Sequence, residues 1–182
     1  MKLQLHHLTS VDSRDPDRYV LDRESGFSIG AFQLRPTSRG SVHVRSDDPE
    51  SPPEIRAAYL GTEEDCSITV KALRLARRLA ASLPLARFVR HELRPGPDSV
   101  HDDELLAYAR ATGTTSYHPV GTCRMGGGSD AVVDASLKVH GVEGLRVADA
   151  SIMPTLPSSN TNAACVAIGW RGADLVTQSR NG

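Results

Sequence analysis

The chain has 182 residues, of which 39% are hydrophobic and 24% are charged, proportions typical of a soluble globular protein. Its 21 basic and 22 acidic residues give a net charge of −1, so the overall charge favours neither a nucleic-acid partner nor an anionic membrane. Three widely spaced cysteines form no Cys-x-x-Cys pair, which argues against a disulfide scaffold or a structural zinc site. No apolar run is long enough for a signal peptide or a membrane span, and the cytoplasm is the expected location.

Two short runs in the first third of the chain have the composition of β-strands. They are "FSIGAFQL" and "SVHVRS", and the segment "RPTSRG" joins them. Pro36 and Gly40 mark that segment as a loop. The simplest prediction is a hairpin of these two strands, preceded by a polar lead-in over residues 1–26.

The middle of the chain predicts two helices. Thr62 is a suitable N-cap for the first helix, and three acidic residues follow it where the helix dipole favours them. These residues are Glu63, Glu64 and Asp65. The apolar positions that follow have helical spacing and predict one buried face: Ile68, Ala72, Leu75, Leu79 and Leu83. The second helix is expected from about Asp102 to Ala111, ends at Gly113 and leads directly to His118.

The last third predicts strands followed by a helix. "AVVDASLKVHG" alternates like a strand, and "LRVADASIMP" is apolar enough to lie inside a parallel sheet. After two prolines, "AACVAIGWRGADLV" has the period of a helix, for which Asn160 or Asn162 is the expected cap. The predicted apolar face of this helix comprises Ala163, Val166, Ala167, Trp170 and Ala173.

Four motifs in this order carry a family resemblance. "YHPVGTCRMG" and "VVDASLKVHGVEGLRVADASIMPTLPSSNTNAA" closely resemble the C-terminal part of the glucose-methanol-choline (GMC) family of flavin-dependent alcohol oxidoreductases. "QLRPTSRGSVHVRSDDP" and "ELRPGPDSVHDDELLAYAR" resemble the same family, nearest to its choline and alcohol dehydrogenase-like members. The resemblance covers about Phe27 to Val176 and therefore most of the chain.

The resemblance implies an FAD enzyme that moves a hydride from an alcohol carbon to the flavin. His118 matches the catalytic histidine of the family, and imidazole is a competent base near neutral pH. Asn160 matches the second active-site position, where an amide can hydrogen-bond the substrate oxygen but cannot take its proton. Four further positions match places where the family contacts the flavin: Asp149, Ala150, Thr161 and Asn162. No metal site is predicted.

The fold expected from this resemblance is α+β. A mainly antiparallel sheet flanked by helices forms the substrate-binding and catalytic region, residues 27–143. A final strand and helix, residues 144–182, belong to an FAD-binding α/β domain. The sequence shows no strand, Gly-x-Gly-x-x-Gly turn and helix of the kind that hold the FAD pyrophosphate in this family, so an FAD-binding N-terminal half or chain is the expected partner. This half could be a separate chain, or it could have been lost by truncation or gene annotation.

Two other functions stay open at the level of sequence. The chain could be an orphan, non-catalytic domain that serves as a binding or interaction module. It could also be a hydrolase or metal enzyme that uses His118 with Asp130 or Asp134, although no nucleophile elbow or ligand spacing favours this interpretation. Neither the particular alcohol nor the electron acceptor follows from the sequence.

Overall fold

The computed structural model describes residues 1–9 and 20–178. Part of the predicted lead-in, residues 10–19, and the last four residues, 179–182, lie outside the described residues. The chain divides into two compact units, one formed by residues 1–39 and 58–115 and the other by residues 40–57 and 116–182. The predicted α+β class is confirmed, since four helices accompany small antiparallel sheets in the described part of the chain.

The first unit is a two-stranded sheet with helices. Strand β1 (Lys2–His6) pairs antiparallel with β2 (Ser28–Phe32), in the register Lys2 to Phe32. Three helices follow: α1 (Glu63–Ala80), α2 (Leu83–Ala86) and α3 (Asp102–Thr112). Helix α1 packs against β2 and α3. Its buried apolar residues are Val70, Ala72 and Ala76, and α3 contributes the fully buried Leu105.

The second unit has one small sheet and the last helix. Strand β3 (Ser41–His43) pairs antiparallel with β4 (Glu54–Arg56). A short 3-10 helix spans Ala150–Ile152, and α4 spans Asn162–Gln178. The core of this unit is formed by Val133, Leu137 and Ile152, and partly buried side chains from α4 pack against it.

The predicted hairpin of "FSIGAFQL" with "SVHVRS" is wrong. β2 takes its partner from the alternating start of the chain, while β3 pairs with β4. The loop between β2 and β3 is held by α1 instead, because Thr37 and Ser38 donate hydrogen bonds to the Asp65 carboxylate. A pattern of alternating residues identifies strands but does not choose their partners.

The predicted helices are confirmed, and the burial of α1 differs in detail. The Thr62 hydroxyl accepts a hydrogen bond from the Asp65 N–H, as expected of an N-cap. The helix ends at Ala80, whereas the predicted buried face extends to Leu83. Leu79, in the last turn of α1, is 40% exposed, and Leu83, in α2, is 92% exposed.

The strand predicted from Leu145 is reduced to an isolated antiparallel bridge between Lys138 and Arg146. Two backbone hydrogen bonds flank it, from the Val139 N–H to the Leu145 carbonyl and from the Val147 N–H to the Leu137 carbonyl. A longer strand requires more backbone pairing than these two bonds supply. The described residues of the second unit supply only these short contacts.

Asp65 is the main polar connection of the first unit. Its side chain is 2% exposed and accepts hydrogen bonds from the N–H and hydroxyl of Ser38, from Thr37 and from Gln33. Burial alone would raise the pKa of Asp65, but these hydrogen bonds outweigh it and hold the pKa far below its usual range. The carboxylate therefore stabilises the fold as an ion.

We expect Asp65→Asn to lower the free energy of unfolding by about 2 kcal/mol or more, because a neutral amide leaves several buried donors poorly satisfied. The folded-state pKa lies below that of the unfolded chain, so the contribution is complete above about pH 4 and is lost as the pH falls below it. Urea unfolding followed by circular dichroism at several pH values measures both effects.

Glu64→Gln is the matched control, because Glu64 lies in the same helical turn and is exposed. Its stability should stay within about 0.5 kcal/mol of the unsubstituted chain. Equal losses in the two variants would contradict the structural role assigned to Asp65.

Candidate active site

His118 lies on a loop whose backbone is tightly constrained. Tyr117 has a φ of 57°, Pro119 fixes its own φ, and Gly121 has a φ of 89°. A Cβ at Gly121 would lie 3.2 Å from the carbonyl oxygen of Met153. Glycine is therefore required there both for its φ and for the close approach. The histidine side chain itself is half-buried.

The loop that carries His118 is attached to the segment around the 3-10 helix. The Cys123 N–H donates to the Ser151 carbonyl at 3.0 Å, and the Met125 N–H donates to the Ile152 carbonyl at 2.8 Å. On the other side of the loop, the Gly126 N–H donates to the Val133 carbonyl at 3.0 Å. Since Val133 and Ile152 are core residues, these hydrogen bonds connect the loop to the hydrophobic core of the second unit.

Helix α4 begins at Asn162, directly after Thr161. The predicted capping of this helix by Asn160 or Asn162 stays a prediction. The Cys165 N–H donates to the Thr161 carbonyl at 2.9 Å, which closes the first turn. The N–H groups of the first turn have no partner within the helix, as at every helix start.

The structure brings His118 and Thr161 together. The Thr161 hydroxyl oxygen lies 2.9 Å from Nδ1 of His118, a hydrogen-bonding distance. Thr161 is only 6% exposed. Nε2 lies on the opposite side of the ring. Asn160 directly precedes Thr161 and is exposed, and its contact with a substrate oxygen stays a prediction.

Asp149 and Ala150 lie at the start of the 3-10 helix. The Asp149 carboxylate accepts hydrogen bonds from the hydroxyl and the N–H of Ser151, the latter at 2.8 Å. These two bonds lower the pKa of Asp149, and its partial burial opposes them. Asp149 is thus a carboxylate, an acceptor suited to the hydroxyl groups of a ligand rather than to its phosphates.

These residues fit part of an FAD site. The first-turn N–H groups of α4 are donors for an electron-rich carbonyl, and Asp149 is an acceptor for hydroxyl groups. Within residues 1–9 and 20–178, no strand leads through a Gly-x-Gly-x-x-Gly turn into a helix. The described part of the chain therefore fits the flavin and its ribityl group better than the pyrophosphate.

The alternative pairings of His118 with an aspartate receive no support. Asp130 forms an ion pair with Arg124, and Asp134 accepts hydrogen bonds from the backbone N–H groups of Ser136 and Lys138. Among the residues that the structure describes, no group of three or more His, Cys, Asp or Glu side chains is arranged to hold a metal ion.

The sequence matches the C-terminal domain model of the GMC oxidoreductases over residues 36–169. The chain therefore belongs to the GMC oxidoreductase family, and the predicted family is confirmed. It is 40% identical to the oxygen-dependent choline dehydrogenase of Chromohalobacter salexigens over 96% of this chain and 31% of that protein. It is 37% identical to an alcohol dehydrogenase [acceptor] of Pseudomonas putida over 84% of this chain and 28% of that protein.

Solved structures show the same likeness. Pyridoxine 4-oxidase from Mesorbium loti is 35% identical with a TM-score of 0.73, and the match covers 90% of this chain and 30% of that one. Formate oxidase of Aspergillus oryzae is 26% identical with a TM-score of 0.80, covering 88% and 28% of the two chains. The chain spans about 30% of the length of the relatives it matches.

We expect Gly121→Ala to lower the free energy of unfolding by about 1–3 kcal/mol, because alanine must adopt a strained φ next to the Met153 carbonyl. Thermal unfolding followed by circular dichroism measures this loss. Gly127→Ala is the control, since a Cβ at that position meets no atom within 4 Å. A Gly121→Ala protein as stable as Gly127→Ala would contradict the constraint on the loop.

Proposed function

We propose that this chain is the substrate-binding and catalytic part of an FAD-dependent alcohol oxidoreductase, with His118 as the base. The observation that carries the proposal is the hydrogen bond between the Thr161 hydroxyl and Nδ1 of His118, in a chain of the GMC family. This contact orients the imidazole and leaves Nε2 for the substrate. The names of the relatives in Chromohalobacter salexigens and Pseudomonas putida make choline and simple alcohols the first substrates to test.

In this proposal, residues of this chain carry out the proton transfer. Nε2 of His118 takes the hydroxyl proton of the alcohol, and the Asn160 amide donates a hydrogen bond to the alcohol oxygen. FAD, when bound, supplies the acceptor for the hydride that leaves the alcohol carbon. The groups that would hold it are Asp149, Ala150 and the backbone N–H groups of Thr161 and Asn162.

We propose an FAD-binding N-terminal part as the partner, on the same chain or on a separate one. The relatives are about three times as long as this chain, and the match is to the C-terminal domain of their family. The described residues also lack a pyrophosphate-binding turn.

The three cysteines are free thiols, which supports the cytoplasm as the compartment.

The outward face of α4 is the surface that this partner would cover. The helix packs on its own unit through Ile168, Gly172 and Leu175, and Gly172 lies against Ala148 and Leu137. The five residues predicted to form its buried apolar face are instead exposed: Ala163, Val166, Ala167, Trp170 and Ala173. Val166 is 62% exposed and Trp170 is 75% exposed, an arrangement that indicates an interface.

Among the described residues, no helix is long and apolar enough to cross a membrane.

Removal of the base tests the catalytic proposal. The chain is combined with the FAD-binding part of the Chromohalobacter salexigens relative, and alcohol-dependent flavin reduction is measured without oxygen. We expect His118→Ala to slow flavin reduction by about 10² to 10⁴-fold, the usual contribution of a positioned base.

His43→Ala is the control, because His43 is an exposed histidine of the same unit. It should reduce flavin at the rate of the unsubstituted complex. A His118→Ala complex that reduces flavin at the control rate would remove His118 from the mechanism.

Trp170→Ala tests the proposed partner surface. We expect the affinity for the FAD-binding part to fall by roughly 30-fold, because large aromatic residues dominate the binding energy of interfaces. Isothermal titration calorimetry with the separate FAD-binding part measures this change. Tyr59→Ala serves for comparison, as Tyr59 is 69% exposed and lies in the other unit. Unchanged affinity of the Trp170→Ala chain would place the interface elsewhere.

A further inference from the structure

The contact between Thr161 and His118 bears on the tautomer of the imidazole, that is, on which ring nitrogen carries the hydrogen. A neutral imidazole has one N–H and one bare nitrogen, and a threonine hydroxyl can donate or accept. At 2.9 Å, Thr161 can donate to a bare Nδ1 or accept from an Nδ1–H. These two arrangements have opposite consequences at Nε2, because the nitrogen without a hydrogen is the one that can act as a base.

We propose that Thr161 is a positioning residue that accepts the Nδ1–H of His118 and thereby keeps the lone pair on Nε2. The inference rests on the proposed function, since a base that acts through Nε2 requires this tautomer. Thr161 touches neither the substrate nor the reacting atoms in this role and acts through His118.

The position of the Thr161 side chain is restricted by its surroundings. Its carbonyl accepts the Cys165 N–H that closes the first turn of α4, and its side chain is almost fully buried. A β-branched side chain also has few rotamers available. The hydroxyl position is therefore set by the helix, while the His118 loop is set by its hydrogen bonds to Ser151 and Ile152.

The same contact serves both protonation states of the ring. When the O–H bond of the alcohol breaks, its proton forms a new N–H bond at Nε2, and the electron pair left on oxygen forms the carbonyl as the carbon loses its hydride, for which bound FAD would be the acceptor. The Nδ1–H remains in place throughout, and so does its hydrogen bond to Thr161. The imidazolium is therefore accommodated without any rotation of the ring.

The tautomer can be measured directly in the chain by long-range ¹H–¹⁵N correlation NMR with ¹⁵N-histidine. The spectra are recorded above the pH range in which the rings titrate, and His118→Ala identifies the His118 signals. We expect the Nδ1–H tautomer in the unsubstituted chain. In Thr161→Val, which keeps the shape and removes the hydroxyl, the ratio of Nδ1–H to Nε2–H should fall roughly tenfold.

Two further variants make the test specific. Thr161→Ser retains a hydroxyl and should restore the Nδ1–H tautomer. Thr177→Val removes a threonine hydroxyl from an exposed position of the same helix, where it donates to the Ala173 carbonyl, and should leave His118 unchanged. If Thr161→Val does not fold, the unsubstituted chain and Thr161→Ser still report the tautomer.

An Nε2–H tautomer in the unsubstituted chain would overturn the inference, and so would a tautomer ratio that Thr161→Val leaves unchanged. Neither result depends on activity. Failure of the proposed function has a different signature, namely an Nδ1–H tautomer set by Thr161 together with flavin reduction that His118→Ala does not slow.

Discussion

The candidate site depends on one hydrogen bond between residues 43 positions apart, the Thr161 hydroxyl and Nδ1 of His118. It joins a loop with no regular secondary structure to the first turn of a helix. Each side is anchored separately: the loop through Ser151, Ile152 and Val133, and Thr161 through its carbonyl, which accepts the Cys165 N–H in the first turn of α4. A hydrogen bond between two elements that are already held loses little conformational entropy on forming, so its geometry is well defined.

The sequence was sufficient for the features that short segments determine. The two long helices of the first unit follow from Thr62, the acidic first turns and Gly113, and the structure confirms them. The motif around His118 identified the family, which no periodicity could have done. A second motif, which ends in "SSNTNAA", singled out Thr161 as a flavin contact, whereas the structure adds its contact with His118. That contact was missed because nothing in the sequence brings the two segments together.

Other features depend on tertiary partners. Asp65 was assigned to the helix dipole, yet it is buried by Thr37 and Ser38, which lie almost thirty residues earlier. Helix α4 has apolar residues around most of its circumference, so its period did not decide which face packs inward. Gly172 decides it, because the missing side chain lets the helix approach Ala148 closely and turns Trp170 outward. The pairing of β1 with β2 likewise depended on a partner that the alternating pattern did not specify.

The proposed function separates the two halves of an alcohol oxidation. The groups proposed to manage the proton, His118 with Thr161, lie within one unit of this chain, whereas the described residues would supply only part of a flavin site. The exposed face of α4 agrees with this proposal, since a large exposed apolar patch marks an interaction surface. The length of the relatives agrees with this division.

The most direct test of this division is the flavin absorbance that the purified chain retains after gel filtration at known protein concentration, alone and together with the FAD-binding part of a relative. We expect no stoichiometric flavin on the chain alone and stoichiometric flavin on the complex. Stoichiometric retention by the chain alone would contradict it, because the chain would then build a complete flavin site from its own residues.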